Sequence, residues 1–150
     1  MSANVHIQVE DFDVSEEVEA LTADQPATGA VATFTGYVRG DGGLTALVLE
    51  HYPGMTEREI ARIAADAAGR WSLTGVTIIH RIGRLEVGER IVLVAVASGH
   101  RGAAFEACEF LMDYLKTRAP FWKQEERGGA SDWVEARDSD DAAAERWRRS

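Results

Sequence analysis

Residues 91–97, IVLVAVA, form an unbroken apolar run. The run is far too short to cross a bilayer and has the length of a strand. A strand with no polar face must be covered on both sides, so this segment predicts a central strand buried between two layers.

The segments around it supply neighbours and covers. Residues 5–9 alternate and predict a short strand. Asp13 or Ser15 can cap a helix running to Leu21, with glutamates in its first turn. Residues 30–38 alternate again. Gly40-Asp41-Gly42-Gly43 is a turn signal, which predicts a hairpin into a strand at 44–52. Pro53-Gly54 ends that strand. Thr56-Glu57-Arg58-Glu59 has the form of a capping box, and Ile60, Ile63, Ala64, Ala67 and Trp71 follow at helical spacing. Strands at 76–82 and 90–98 are joined by a turn holding Gly83 and Gly88.

A helix follows at 103–117. Phe105, Cys108, Phe110, Leu111, Met112, Tyr114 and Leu115 cover most of its circumference, so it is expected to be largely buried; Pro120 stops it. Residues 121–127 read as a strand, 128–131 as a loop and 133–137 as a short extended piece. Residues 138–150 are a charged tail, helical around 142–147. No repeat or domain boundary is visible. The expectation is one domain over 1–150, of the α+β class, with a mainly antiparallel sheet and the order β-α-ββαββαβ.

Charge and cysteine usage narrow the function. The net charge is −9. Nucleic-acid backbones call for a broad basic surface, so they are excluded as the main partner. A few convergent cations can still make a local anion pocket on an acidic protein. No apolar run is long enough to span a membrane, and the first residues show no secretory signal. The single cysteine, Cys108, excludes an internal disulfide and a Cys-rich metal site, and its apolar neighbours predict an inert thiol. A cytoplasmic protein is expected. Four dispersed histidines, at 6, 51, 80 and 100, make no zinc spacing, and His51 and His80 read as structural.

Two lysines stand against 14 arginines, and both fall in one segment, as Lys116 and Lys123 flanking Pro120, Phe121 and Trp122. A lysine amine can give up its proton and act as base or nucleophile; arginine stays charged. Arg39, at a strand end, and His100-Arg101, at the start of the 103–117 helix, are the other candidate cations. Free N–H groups and the helix dipole favour an anion at that helix start. A sheet could gather all three places around one anionic group.

Taken in order, the segments resemble the large, catalytic subunit of molybdopterin synthase, the MoaE family. The resemblance rests on Phe34-Thr35-Gly36 with Val38-Arg39, on Leu49-Glu50-His51-Tyr52-Pro53-Gly54-Met55, on His80-Arg81-Ile82-Gly83 and on Ser98-Gly99-His100-Arg101. It continues in Met112-Asp113-Tyr114-Leu115-Lys116-Thr117-Arg118-Ala119-Pro120-Phe121-Trp122-Lys123 and in Trp133-Val134-Glu135-Ala136-Arg137.

The resemblance implies an α/β hammerhead-type fold and a homodimer within a heterotetramer. The partner it implies is a small ubiquitin-like sulfur carrier ending in a Gly-Gly thiocarboxylate. The implied substrate is cyclic pyranopterin monophosphate, and the implied product is the molybdopterin dithiolene. Lys116 and Lys123 become the catalytic residues. Tyr37, Val38, Arg39, His100, Arg101, Lys116, Lys123, Gln124, Glu125 and Arg137 become the substrate-binding set. Tyr37 departs from relatives with a basic residue there, and the loop at 40–43 is short. No metal or cofactor is implied. Crowding by cations and partial burial would fit Lys116 to shuttle protons. Phe34, Met112, Phe121 and Trp122 are candidate walls for the carrier tail, with Phe34 and Met112 better read as core. The competing reading is a non-catalytic α+β module that binds a phosphorylated small molecule or partner tail; it predicts binding without turnover and tolerance of Lys-to-Arg exchange.

Overall fold

The computed structural model describes residues 1, 3–128, 130–133 and 138–149. The apolar run lies in β6 (Arg90–Ser98), which sits inside a four-stranded sheet of order β1-β4-β6-β2, with β1 Ala3–Gln8, β2 Ala30–Tyr37 and β4 Leu73–Arg81. Val92, Val94 and Val96 point to one side of β6 and pack under α2 (Met55–Arg70) and α3 (Arg101–Thr117). Leu93, Ala95 and Ala97 point to the other side, against Phe12 and against Leu21 of α1 (Val14–Thr22). Both faces are covered, as an all-apolar strand requires. The β1–β4 pair is parallel; β4–β6 and β2–β6 are antiparallel.

A second sheet has the order β5-β3-β7-β8, from β3 Leu44–His51, β5 Gly83–Glu86, β7 Phe121–Arg127 and β8 Ala130–Trp133, with antiparallel ladders. The α+β class and the mainly antiparallel pairing therefore hold, but the strands divide between two sheets.

The expected hairpin between β2 and β3 does not form. After a register shift at Gly36/Tyr37, the chain leaves the first sheet. Val38 is 2% exposed and packs with Leu47, Leu49 and Leu85 of the second sheet. Its N–H donates to the Glu89 carbonyl, and its own carbonyl accepts from the Gly88 N–H, both at 2.9 Å. Burial of one valine thus carries the strand end across to the other layer, and β3 pairs with β5 and β7 instead.

The turn expected around Gly83 and Gly88 contains the strand β5. Only Leu85 of its four residues is buried, so it leaves no periodic signal. Gly83 and Gly88 take φ of 89° and 92°, a region that side-chain-bearing residues avoid, and they make its two corners. β8 replaces part of the expected 128–131 loop. All four of its residues are exposed, so no alternation could announce it.

The start of α2 differs too. The helix begins at Met55, and Glu57 Oε1 accepts from the Gly54 N–H at 2.9 Å. Thr56 is fully buried; it accepts from the Tyr52 N–H at 3.0 Å and donates to the Pro120 carbonyl at 2.9 Å. In α3, Phe105 is 66% exposed, contrary to expectation, because it shares the helix's outer stripe with Glu109 and Lys116.

The charged tail is helical: α4 spans Asp138–Glu145, and a 3₁₀ turn spans Arg146–Arg149. Ala144 is buried. Trp147 sets its ring edge-on to Trp71 and Phe110 and donates Nε1–H to Asp113 Oδ2 at 2.6 Å.

Candidate active site

The site lies where the two sheets meet. Lys116 stands exposed in the last turn of α3, so the partial burial expected for it is absent. Five residues later the chain enters β7. That short bend is pinned by Thr56, whose hydroxyl holds the Pro120 carbonyl, and Arg118 lies over the Tyr114 ring at 5.7 Å.

Phe121 opens β7 and stacks on the His80 ring of the first sheet, with centroids 3.9 Å apart and planes 20° from parallel. Lys116 and His51 both act on His80 electrostatically, and His51 lies opposite Phe121 in the β3–β7 ladder. Lys116, His51, His80 and Phe121 therefore form one cluster, drawn from α3, β3, β4 and β7. Burial, with a smaller contribution from the Lys116 and His51 charges, pushes His80 down to about 4, so it is neutral at physiological pH. Behind His51 stands Glu57, 3.7 Å away, whose carboxyl is held below its ordinary range by its own backbone N–H and that of Gly54.

Lys123 lines a groove of about 420 Å³ together with Tyr52, Phe121, Trp122 and Trp133. Three of these aromatics are well exposed: Tyr52, Trp122 and Trp133. Their rings form a ladder, Tyr52 to Trp122 at 5.2 Å and Trp122 to Trp133 at 5.7 Å. Exposed aromatics that line a concavity next to a cation are the composition of a binding groove rather than of a core.

The other candidates divide by position. Tyr37 is exposed, Val38 is buried with its N–H engaged, and Arg39 is exposed and paired with Asp41 at 3.1 Å. Gly36 and His80 flank Val92 from opposite sides, so the strand end carrying Arg39 shares the Lys116 end of the first sheet. Gln124 and Glu125 lie inside β7, opposite Val48 and Leu47, and Glu125 pairs with Arg127.

His100 is the N-cap residue of α3 but makes no side-chain cap, and Arg101 beside it is exposed. They are at the far end of α3, about 22 Å from Lys116 along the helix axis. One copy of the chain therefore does not gather all the candidate cations around a single group. Arg137 lies outside the described residues. Phe34 is 41% exposed, so it is not core, whereas Met112 is buried as expected.

Burial pushes the Cys108 thiol up to about 11, so it stays protonated. Among the described residues, no group of three or more His, Cys, Asp and Glu side chains could hold a metal, and no helix is long and apolar enough to cross a membrane.

Comparison with known proteins identifies the lineage. A family model described as "MoaE protein" matches residues 7–118. This chain belongs to the MoaE family. It is 56% identical over 153 residues to the molybdopterin synthase catalytic subunit of Mesorhizobium japonicum, covering 100% of this chain and 96% of that one. Among solved structures, it is similar to the MoaE protein from Burkholderia ambifaria, with TM-score 0.86 and 52% identity, covering 97% of this chain and 98% of that one. It is also similar to molybdopterin synthase from Staphylococcus aureus, with TM-score 0.80 and 32% identity, over 87% and 96% of the two chains. The ordered motifs thus point to the right family. MoaE membership also accounts for the motif at His80-Arg81-Ile82-Gly83, which residue spacing alone reads as structural.

His51 and His80, which the sequence reads as structural, and Tyr52 and Trp133, which it gives no role, lie beside the candidate lysines. Nothing in their spacing marks them. Strand register and the meeting of the sheets bring them to the lysines.

Proposed function

We propose that this chain is the catalytic subunit of a molybdopterin synthase. It transfers sulfur from the C-terminal thiocarboxylate of a small ubiquitin-like carrier to cyclic pyranopterin monophosphate, forming the molybdopterin dithiolene. Family membership, with relatives above 50% identity across nearly the whole chain, supports the activity. The observation that carries the site is the placement of both lysines at one joint between the sheets, beside the aromatic groove.

The chemistry follows from the groups present. The carrier tail lies extended in the groove, since Gly-Gly has no side chains to obstruct it. Its thiocarboxylate sulfur attacks an oxygen-bearing side-chain carbon of the substrate; the C–S bond forms as that carbon's C–O bond breaks, and the departing oxygen takes a proton from Lys116. A thioester then links carrier and substrate. Water attacks the thioester carbonyl, the carrier leaves as a carboxylate, and sulfur stays on the substrate. A second loaded carrier supplies the second sulfur. Lys116 is the amine nearest this chemistry and moves protons; Lys123 orients the substrate and stabilises developing oxyanion charge.

Arg39, Tyr37, Gln124 and Glu125 complete the near side, with the backbone of Val38 shaping it. His100 and Arg101 are too far along α3 to serve the same copy's lysines. In this reading they hold the substrate phosphate for a second copy, at a helix N-terminus suited to anions. The chain therefore works as a homodimer, within a heterotetramer that includes two carriers, in the cytoplasm. Arg137 is assigned to the same anion-binding role.

A single-turnover assay with thiocarboxylated carrier and cyclic pyranopterin monophosphate tests this. Dithiolene from wild type, but from neither Lys116→Ala nor Lys116→Arg, is the expected result. If Lys116→Arg keeps full turnover, Lys116 is an anion ligand and not a proton carrier. If wild type binds the carrier and yields no product, the chain is a binding module.

A further inference from the structure

His80 is a partly buried polar ring at the joint, and the mechanism above gives it no task. Its Nδ1 lies 2.9 Å from the Arg81 carbonyl oxygen. A carbonyl can only accept, so Nδ1 carries the hydrogen and Nε2 is the bare, accepting nitrogen. The ring is also clamped by its stack on Phe121. A backbone bond and a ring face together fix its tautomer and its plane. The charged or titratable groups that act on it are Lys116 from α3 and His51 from β3, with Glu57 of α2 behind His51. Phe121 is two residues from Lys123 in β7, on the same side of the strand. One imidazole therefore touches the element that carries Lys123, which begins five residues beyond Lys116, and lies within electrostatic reach of the Lys116 amine.

We propose that His80 is a positioning residue of this site: a neutral imidazole, locked as its Nδ1–H tautomer, that sets Lys116 and the start of β7 in register with each other. A second cation at this place would repel Lys116. An apolar side chain would leave the Arg81 carbonyl without its donor. A neutral histidine avoids both. The low affinity of the ring for protons agrees with this, since the site keeps it uncharged across the working range. The catalytic consequence rests on the sulfur-transfer reading; the placement of the ring does not.

Three measurements test it. Long-range proton–nitrogen spectra at neutral pH should show His80 as the Nδ1–H tautomer; an Nε2–H tautomer or an imidazolium overturns the proposal. The pH at which His80 titrates, about 4, should rise in Lys116→Gln; no change there overturns the proposal. Finally, His80→Phe keeps a ring against Phe121 and removes both nitrogens. Its single-turnover rate should fall about tenfold or more, as misplaced catalytic groups do, with carrier affinity unchanged. A wild-type rate overturns the proposal, as does a rate loss explained wholly by weaker carrier binding. His80→Asn, which keeps an N–H donor near the Nδ1 place, substitutes if His80→Phe does not fold. If wild type transfers no sulfur, the functional reading fails alone, and the two spectroscopic measurements still decide where His80 stands.

Discussion

The two sheets solve different problems. The β1-β4-β6-β2 sheet is covered on both faces at its centre, where β6 from Val92 to Ser98 is buried at every position, and opens only at its edge strands β1 and β2. The β5-β3-β7-β8 sheet is half open: β7 has two exposed residues and five partly exposed, and β8 is exposed throughout. The first sheet is apolar by sequence and serves as support. The second carries tryptophan, lysine and glutamate outward and, in the proposed reading, serves as a working surface. His80 and Phe121 join them. A rigid, dry sheet can hold a wet, chemically busy one in place, and the reactive groups gather at the seam.

This division is open to test. The largest effect is expected from Lys116→Ala, which should reduce single-turnover sulfur transfer by about 10²–10⁴-fold while leaving unfolding free energy within about 0.5 kcal/mol, because the side chain is exposed. Equal losses of stability and turnover would erase the distinction between support and surface. The mirror case is Leu93→Ala, in the fully buried core of β6. Denaturant unfolding should show a loss of about 2–5 kcal/mol, with turnover per folded molecule retained.

Trp147→Ala should cost about 2–4 kcal/mol, since it removes a partly buried ring packed on Trp71 and Phe110 and a donor to Asp113. An unaltered melting temperature would mean that the tail does not brace α3. Trp133→Ala should do the opposite: stability should change by less than about 0.5 kcal/mol, while carrier binding, measured by calorimetry, weakens. Unchanged binding would remove Trp133 from the groove's function.

A further effect concerns acid. The pKa of His80 is lower folded than unfolded, so the unfolded chain takes up its proton first. Its contribution to stability is full above about 6.5 and is lost as pH falls toward about 4. Asp11 extends the loss: its hydrogen bond to Arg90 holds its carboxyl at about 2, so that contribution disappears as pH falls from 3.8 to about 2. Stability measured from pH 7 to pH 4 should decline less in His80→Phe than in wild type; parallel curves would mean that His80 is not held neutral.

The same contrast explains what could be read from the sequence. Elements of the closed sheet and its helices announce themselves through apolar periodicity: β6 by its unbroken run, α2 by Ile60, Ile63, Ala64 and Ala67. Elements of the open sheet do not, because burial is what writes a period into a strand. β8 buries nothing and β5 buries only Leu85. The glycine loop after Arg39 looked like a hairpin because its composition fits one, yet Val38 was committed to the other layer by packing, which local chemistry does not encode. Lysine scarcity exposed Lys116 and Lys123, and strand and helix ends exposed Arg39, His100 and Arg101. Their division between the two ends of α3 was hidden, since motifs record order along a chain and not the direction in which a helix returns across a sheet.

The lysine placement has a practical consequence for the bench. In this sequence the only lysine amines are those of Lys116, exposed, and Lys123, in the groove. Amine-directed labels, resins and cross-linkers, which on most proteins scatter over the surface, will here converge on the working seam. A dye attached this way reports on the site and can block it. A short cross-linker becomes a probe of whatever docks there.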